Sequence, residues 1–355
     1  MFNYFDIKNV TFQANEKKNI FGVNLNIKKK GEIICLLGPS GIGKTTILRS
    51  IAGLKKIIKG EILLNNKLIS SKNFTLEPEK RNIALSFQEN SLFPHKNVIE
   101  NISLGLESNQ IDSGNKTLNE LIEIFQLNNL LDKYPHEISA GEAQRVSIVR
   151  SLVTIPKLLL LDEPLANIDQ ILRDDLQVKV KRFLKDRKIT TIIVTHDSYE
   201  AFYLADKCGL IIDGTLKQYD TPYNIYHYPK SLEVVNFLKR GILINVKVMS
   251  KNKLYNESLG EISGNLLKKL KIGANVKLLI QPDDLEHDDG SKLKLDIVDR
   301  KFRGTDFIYT LKTKNNELIP VFVHSHHEHQ HKIRQKFGIK TPININHLVC
   351  FKKED

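Results

Sequence analysis

Short apolar runs alternate with longer amphipathic stretches over roughly the first 235 residues, a pattern that predicts an α/β domain. Glu32 to Leu37 reads as a buried strand and Lys44 to Leu54 as the helix after it. Asn82 to Phe87 is a further strand. From about Asn97 to Val153 the pattern is mostly helical, with Leu118 to Leu131 as one helix and another opening near Ser139. Strands resume at Leu158 to Asp162, Thr190 to Thr195 and Gly209 to Asp213, the last closed by an Asp213-Gly214 hairpin turn. After about Arg240 short alternating segments take over (Ile242 to Val248, Asn275 to Ile280, Lys294 to Val298, Phe307 to Lys312, Leu318 to Val323). Gly, Asp and Asn turns separate them, which predicts a small all-β, OB-like domain. The expected division is 1–238 and 239–355.

A chain of 355 residues suits two domains, and its composition suits a buried core. No run approaches the roughly 20 apolar residues that span a bilayer, and the start does not have the pattern of a signal peptide. Cys35, Cys208 and Cys350 match no CxxC spacing and read as free thiols in a reducing compartment. The net charge of +12 raises the question of nucleic acid. Lysines outnumber arginines 42 to 11 and are spread along the chain, unlike the clustered, aromatic-interleaved arginines of nucleic-acid sites. No nucleic-acid partner is expected.

Gly38-Pro39-Ser40-Gly41-Ile42-Gly43-Lys44-Thr45 fits G-x-x-x-x-G-K-[ST] at each fixed position, between a strand and a helix. Phosphate oxygens need several N–H donors converging on them, and backbone without Cβ obstruction allows it. Lys44 suits the β- and γ-phosphates, and the Thr45 hydroxyl suits Mg²⁺. Leu158–Leu161 runs into Asp162-Glu163. Alone that is a strand end; beside a phosphate loop, Asp162 suits the metal and Glu163 suits a general base. The alternation of a strand is expected to point the two apart. His196, after Thr190–Thr195, suits the γ-phosphate and the attacking water, and Gln88, after Asn82–Phe87, suits metal and water.

Ile138-Ser139-Ala140-Gly141-Glu142-Ala143-Gln144-Arg145 resembles the signature of the ABC ATPases, Leu-Ser-Gly-Gly-Gln followed by Gln-Arg, with departures at Ile138, Ala140 and Glu142. Ser139-x-x-Glu142 is also a capping box. A carboxylate at 142 repels phosphate unless it is turned back onto the Ser139 N–H. The resemblance covers the first 235 residues. It implies a P-loop NTPase (ABC ATPase) core with a helical subdomain at about 97–153, followed by an OB-like (TOBE-type) regulatory domain. It also implies that ATP with Mg²⁺ lies on Gly38 to Thr46 of one chain and under Ser139, Ala140 and Gly141 of its twin.

Leu165-Ala166-Asn167-Ile168-Asp169 matches the family's D-loop, so Asp169 joins the nucleotide set. Phe12 is the candidate for the aromatic that stacks on adenine, with Phe5 and Phe21 as neighbouring candidates for core positions. Leu92-Phe93-Pro94-His95 and Val98–Ile102 match the stretch that meets membrane subunits in importers. The resemblance therefore implies a homodimeric motor at the cytoplasmic face of the inner membrane, bound to integral-membrane permease subunits and served by a periplasmic-type solute-binding protein. Phe237–Gly241 and the segments from Gln281-Pro282-Asp283-Asp284-Leu285 to Tyr309-Thr310-Leu311 look closest to ferric-iron importers, with polyamine and sugar importers as alternatives. A non-transport ABC ATPase fits less well: no long coiled-coil insertion and no second ATPase domain is visible. His324 to His331 holds five of the eleven histidines, a composition that suits divalent transition metals, although a solvated loop is the more expected reading.

Overall fold

The apolar runs Ile33–Leu37 and Leu158–Leu161 lie in strands buried on both faces, in the interior of the first unit's sheet. The computed structural model describes residues 3–15, 18–87, 91–104, 106, 116–326 and 331–352. The chain divides into two units, Met1–Ile225 and Tyr226–Asp355.

The first unit carries a ten-stranded sheet in the order Lys67–Ser71, Lys59–Leu64, Phe5–Gln13, Asn19–Ile27, Thr215–Asp220, Lys207–Ile212, Ile33–Leu37, Thr190–Thr195, Leu158–Asp162, Ile83–Ser86. The last five are mutually parallel. Ile33–Leu37, Leu158–Asp162 and Thr190–Thr195 are buried at every position, as expected of parallel strands covered on both faces. Leu37 pairs with Thr195 and Asp162 with Val194, so three strands end level at one edge. In an open α/β sheet that carboxyl edge is where ligands sit.

The helix Lys44–Ala52 starts from Gly43 and packs Ile47, Leu48 and Ile51 inward. Its C-terminal carbonyls are satisfied by the buried Arg81 guanidinium, which donates to the Ser50 and Ile51 carbonyls and also to those of Leu76 and Ile69. Helices Val98–Ser103, Lys116–Ile124 and Ala140–Leu152 form the helical part. Arg145 joins two of its pieces through the Phe125 and Gln126 carbonyls. No helix among the described residues is long and apolar enough to cross a membrane.

The second unit is mostly β. A six-stranded sheet and a four-stranded sheet, Leu318–His324, Asp306–Lys312, Lys294–Phe302 and Lys336–Gly338, share one core running from Ile244 and Leu278 to Tyr309 and Phe337. This compact unit begins at Tyr226, ahead of the β-rich stretch expected from 239. The helix Leu232–Leu238 packs Val235 onto Leu279, Val349 and Phe351, and the Gln281 side chain donates to the Tyr226 carbonyl.

Candidate nucleotide site

The level strand ends bring Gly38, Glu163 and His196 to one edge of the sheet. The loop after Leu37 depends on glycine. A Cβ at Gly38 would stand 2.4 Å from the Ile211 carbonyl oxygen, and Gly43 has φ +105°, a left-handed conformation, with Ala14 2.7 Å from where its Cβ would be. Pro39, Ser40 and Gly41 are exposed and Ile42 half-buried, so the rim of the loop is accessible while its base is packed. The helix N-terminus behind it supplies unpaired N–H groups and a favourable dipole.

Lys44 is buried, and its ammonium donates to the carbonyls of Gly38 (2.8 Å) and Pro39 (3.1 Å). Burial lowers its pKa, with the charges of Glu163 and Asp162 working the other way. Asp162 is buried at the end of its strand, and its pKa is raised by that burial against a hydrogen bond from Thr45. A hydroxyl and a carboxylate held together beside a buried ammonium match the oxygen donors that Mg²⁺ takes in P-loop sites. The residues present fit ATP with Mg²⁺. Thr46 donates to the Ala14 carbonyl at 3.4 Å.

Glu163 lies one residue beyond its strand with φ +46°, a left-handed conformation for a non-glycine residue. The strand alternation expected to separate it from Asp162 therefore does not extend to Glu163. Such a conformation costs about 1–3 kcal/mol and persists only where the surroundings impose it. Here the Glu163 N–H donates to the Val194 carbonyl at 2.9 Å, and the Glu163 carbonyl accepts from Gln144 Nε2 at 2.7 Å. Glu163 Oε1 stands 3.1 Å from Nδ1 of His196, whose ring is more than half exposed. A carboxylate and an imidazole so placed can share the handling of a water's proton.

Ser139 caps the helix Ala140–Leu152, and Glu142 is indeed turned back: Oε2 accepts from the Ser139 N–H at 2.7 Å and the hydroxyl at 2.8 Å. The Ser139 backbone bond is the main cause of its lowered pKa. Ser139 and Ala140 are exposed at the helix start. Gly141 lies against the D-loop, where a Cβ would meet the Asn167 carbonyl oxygen at 2.7 Å. Asp169 caps the helix Gln170–Asp186 by accepting from the Leu172 N–H at 3.0 Å.

One expected member is not brought to the site, and another cannot be placed. Phe12 has no exposed surface and belongs to the core of the sheet, so it has no face to offer a base; the residue beside Gly43 and Thr46 is Ala14. Gln88 lies outside the described residues. One residue that sequence reading missed is Gln144. Buried in the helix Ala140–Leu152, it donates to the Glu163 carbonyl and accepts from the Asn167 N–H at 3.0 Å, which ties the helix, the Glu163 turn and the Leu165–Asp169 segment together.

A second missed residue, Glu200, is buried on the helix Ser198–Leu204 that follows His196. Thr195 donates to its Oε2 at 2.6 Å, and its Oε1 has no hydrogen-bond partner among the described residues. Burial pushes its pKa from 4.5 up to about 7. A raised carboxyl contributes stability that is fully present below pH about 4.5 and is lost as the pH rises to about 7. Glu200→Gln is therefore expected to melt above the wild type at pH 8, with the gap closing towards pH 5. Thermal unfolding at the two pH values measures it.

A family profile described as "ABC transporter" matches residues 20–166. The Fe(3+) ions import ATP-binding protein FbpC of Fusobacterium nucleatum is 34% identical across 89% of this chain and 85% of that protein. The spermidine/putrescine import ATP-binding protein PotA of Clostridium novyi is 32% identical across 97% and 95%. The sn-glycerol-3-phosphate import ATP-binding protein UgpC of Psychromonas ingrahamii is 36% identical across 74% and 69%. Among solved structures, the dimeric post-hydrolysis ATP-binding cassette MJ0796 with ADP and Pi superposes with a TM-score of 0.53 at 26% identity, over 61% of this chain and 98% of that one.

Proposed function

The chain belongs to the ATP-binding subunits of importer-type ABC transporters, and on that footing we propose how its residues divide the work of hydrolysing ATP to drive transport. The observation that carries the reading is the level edge where Lys44, Thr45, Asp162, Glu163 and His196 meet. Loop N–H groups and Lys44 hold the β- and γ-phosphates. Thr45 and Asp162 hold Mg²⁺, which when bound neutralises charge on the phosphate oxygens. Glu163 accepts the proton of the attacking water, His196 orients that water, and Gln88 assists at metal and water.

The working unit is a homodimer. Ser139, Ala140 and Gly141 of one copy close over nucleotide held by Gly38 to Thr46 of the other, with Asp169 at the junction. Support comes from the exposed, capped helix start and from the dimeric state of the MJ0796 cassette. The loop around Phe93 docks the permease. Its backbone is fixed by the fully buried Asn101, which bonds the N–H and carbonyl of Phe93 and the carbonyls of Lys96 and Asn97, while the Phe93 ring remains 46% exposed. Docking there holds the chain peripherally at the cytoplasmic face of the membrane, with a periplasmic-type binding protein delivering the solute.

Ferric iron is the solute we assign. Its support is the likeness of Phe237–Gly241 and Gln281–Leu285 to iron importers and the FbpC relatives; relatives named for polyamine, glycerol phosphate and maltose import stand alongside them. The dimer is tested by light scattering of purified Glu163→Gln: it is expected to pair when ATP is added, and a monomer at every ATP concentration overturns the composite site. The solute is tested separately, by uptake of labelled ferric iron, spermidine and maltose in cells with and without the gene. Loss of spermidine or maltose uptake with iron uptake intact overturns iron.

A further inference from the structure

The histidine-rich segment acquires a partner that its sequence does not announce. His331 Nε2 stands 2.8 Å from Nε2 of His287, and Asp289 Oδ1 lies 3.1 Å from the first histidine's nitrogen partner, His287, and 3.2 Å from His331. The two imidazole side chains are only 5% and 14% exposed, whereas the carboxylate is 44% exposed and faces solvent. Phe337 floors the site, with its ring centroid 4.4 Å from that of His287 and 5.4 Å from that of His331.

Protons alone leave this triangle frustrated. With one Nε2 protonated, the other ring's lone pair faces the carboxylate. With both protonated, two N–H groups face each other at 2.8 Å, and with neither, three lone pairs converge. While the carboxylate is ionised, no placement of protons on the two Nε2 atoms makes all three edges attractive. A cation satisfies all three at once. Edges of 2.8, 3.1 and 3.2 Å put each corner about 1.8 Å from a common centre. A metal at an ordinary ligand distance of about 2.0–2.1 Å therefore sits about 1 Å above the triangle, with its fourth position open.

The backbone holds the corners in place before any ion arrives. Gly338 lets the Asp288 carbonyl approach to 1.9 Å of where a Cβ would be, and the Asp288 N–H donates to the Gly338 carbonyl at 3.0 Å. His287 bridges Ile339, and Arg300 pins the His331 carbonyl at 3.1 Å. We propose that His287, Asp289 and His331 bind one divalent transition-metal ion of the zinc or iron(II) class in the β-rich unit. Two imidazoles and one carboxylate select such borderline ions over Mg²⁺ and Ca²⁺, which prefer all-oxygen sets. The site is independent of which solute is carried.

The test uses the full-length protein, chelator-treated and free of nucleotide, titrated calorimetrically with Zn²⁺ and, anaerobically, with Fe²⁺. One saturable equivalent is expected. Asp289→Asn and His331→Gln are each expected to weaken it at least about 10-fold. A combined change of His324, His326, His327 and His329 to Asn is expected to leave it intact. Asp289 is exposed enough for its variant to fold, with unchanged ATPase activity as the check. No saturable binding by the wild type, equal binding by the Asp289 and His331 variants, or loss only in the combined variant overturns the site.

Discussion

Glu163→Gln is expected to lower steady-state ATP turnover at least about 100-fold while leaving ATP affinity equal or higher. The amide matches the carboxylate in size, keeps a contact with His196 at the 3.1 Å separation seen here, and leaves the backbone bonds to Val194 and Gln144 untouched. What it lacks is basicity. A loss of that size corresponds to about 2.7 kcal/mol of transition-state stabilisation. Affinity does not fall, because the phosphates are held elsewhere, by Lys44 and the loop N–H groups, and the substitution removes a negative charge beside them. Single-turnover hydrolysis with a fluorescent-nucleotide binding assay separates the two. Turnover near the wild-type rate would remove Glu163 from the role of base.

The same residue shows where sequence reading reaches and where it stops. Asp162-Glu163 is legible because an all-leucine strand runs into two carboxylates beside a phosphate loop. The left-handed turn at Glu163, φ +46°, is not legible: its backbone is held by the Val194 carbonyl and by a glutamine from another helix. Gln144 is legible only as part of the signature match; a helical glutamine ordinarily faces water, and only the fold reveals what it bonds. Strands buried on both faces stand out as unbroken apolar runs, so Ile33–Leu37 and Leu158–Asp162 were readable.

The antiparallel strands Phe5–Gln13 and Asn19–Ile27 were not. Register shifts between Ile7 and Val10 and between Val10 and Phe12 break their alternation, so nothing in the pattern marks Phe12, offered by the resemblance, as the core residue it is. The helix Gln170–Asp186 escaped because the exposed Ile171 and Val178 blur the periodicity of Leu176, Val180, Phe183 and Leu184. In the β-rich unit His331 was legible as one of a cluster. Its partners His287 and Asp289 are remote in sequence and join it only when Lys294–Phe302 and Lys336–Gly338 pair.

Gly141→Val is the substitution that separates nucleotide binding from nucleotide use. Any side chain there meets the Asn167 carbonyl oxygen, since even a Cβ would stand 2.7 Å from it, and that oxygen is backbone that cannot simply swing aside. Either the start of the signature helix or the D-loop must move. Gln144 bonds both Asn167 and Glu163, so the displacement reaches the catalytic turn as well as the surface offered to the twin subunit. A shift of about 1 Å in such a constellation costs on the order of 100-fold in rate.

The loop Gly38 to Thr46 is built on a different strand and helix and is expected to keep its ATP affinity within about threefold. Turnover near zero with intact binding is thus the expected pair of results, read by phosphate release and by fluorescent-nucleotide titration. Gln144→Leu, which removes the tie without adding bulk at the interface, divides the effect. A comparable loss of turnover with ATP-driven pairing preserved assigns it to the catalytic turn, whereas lost pairing in Gly141→Val alone assigns it to the surface facing the twin. If Gly141→Val hydrolyses ATP at the wild-type rate, the close approach of helix start and D-loop has no part in the motor, and the route from signature to Glu163 through Gln144 falls with it.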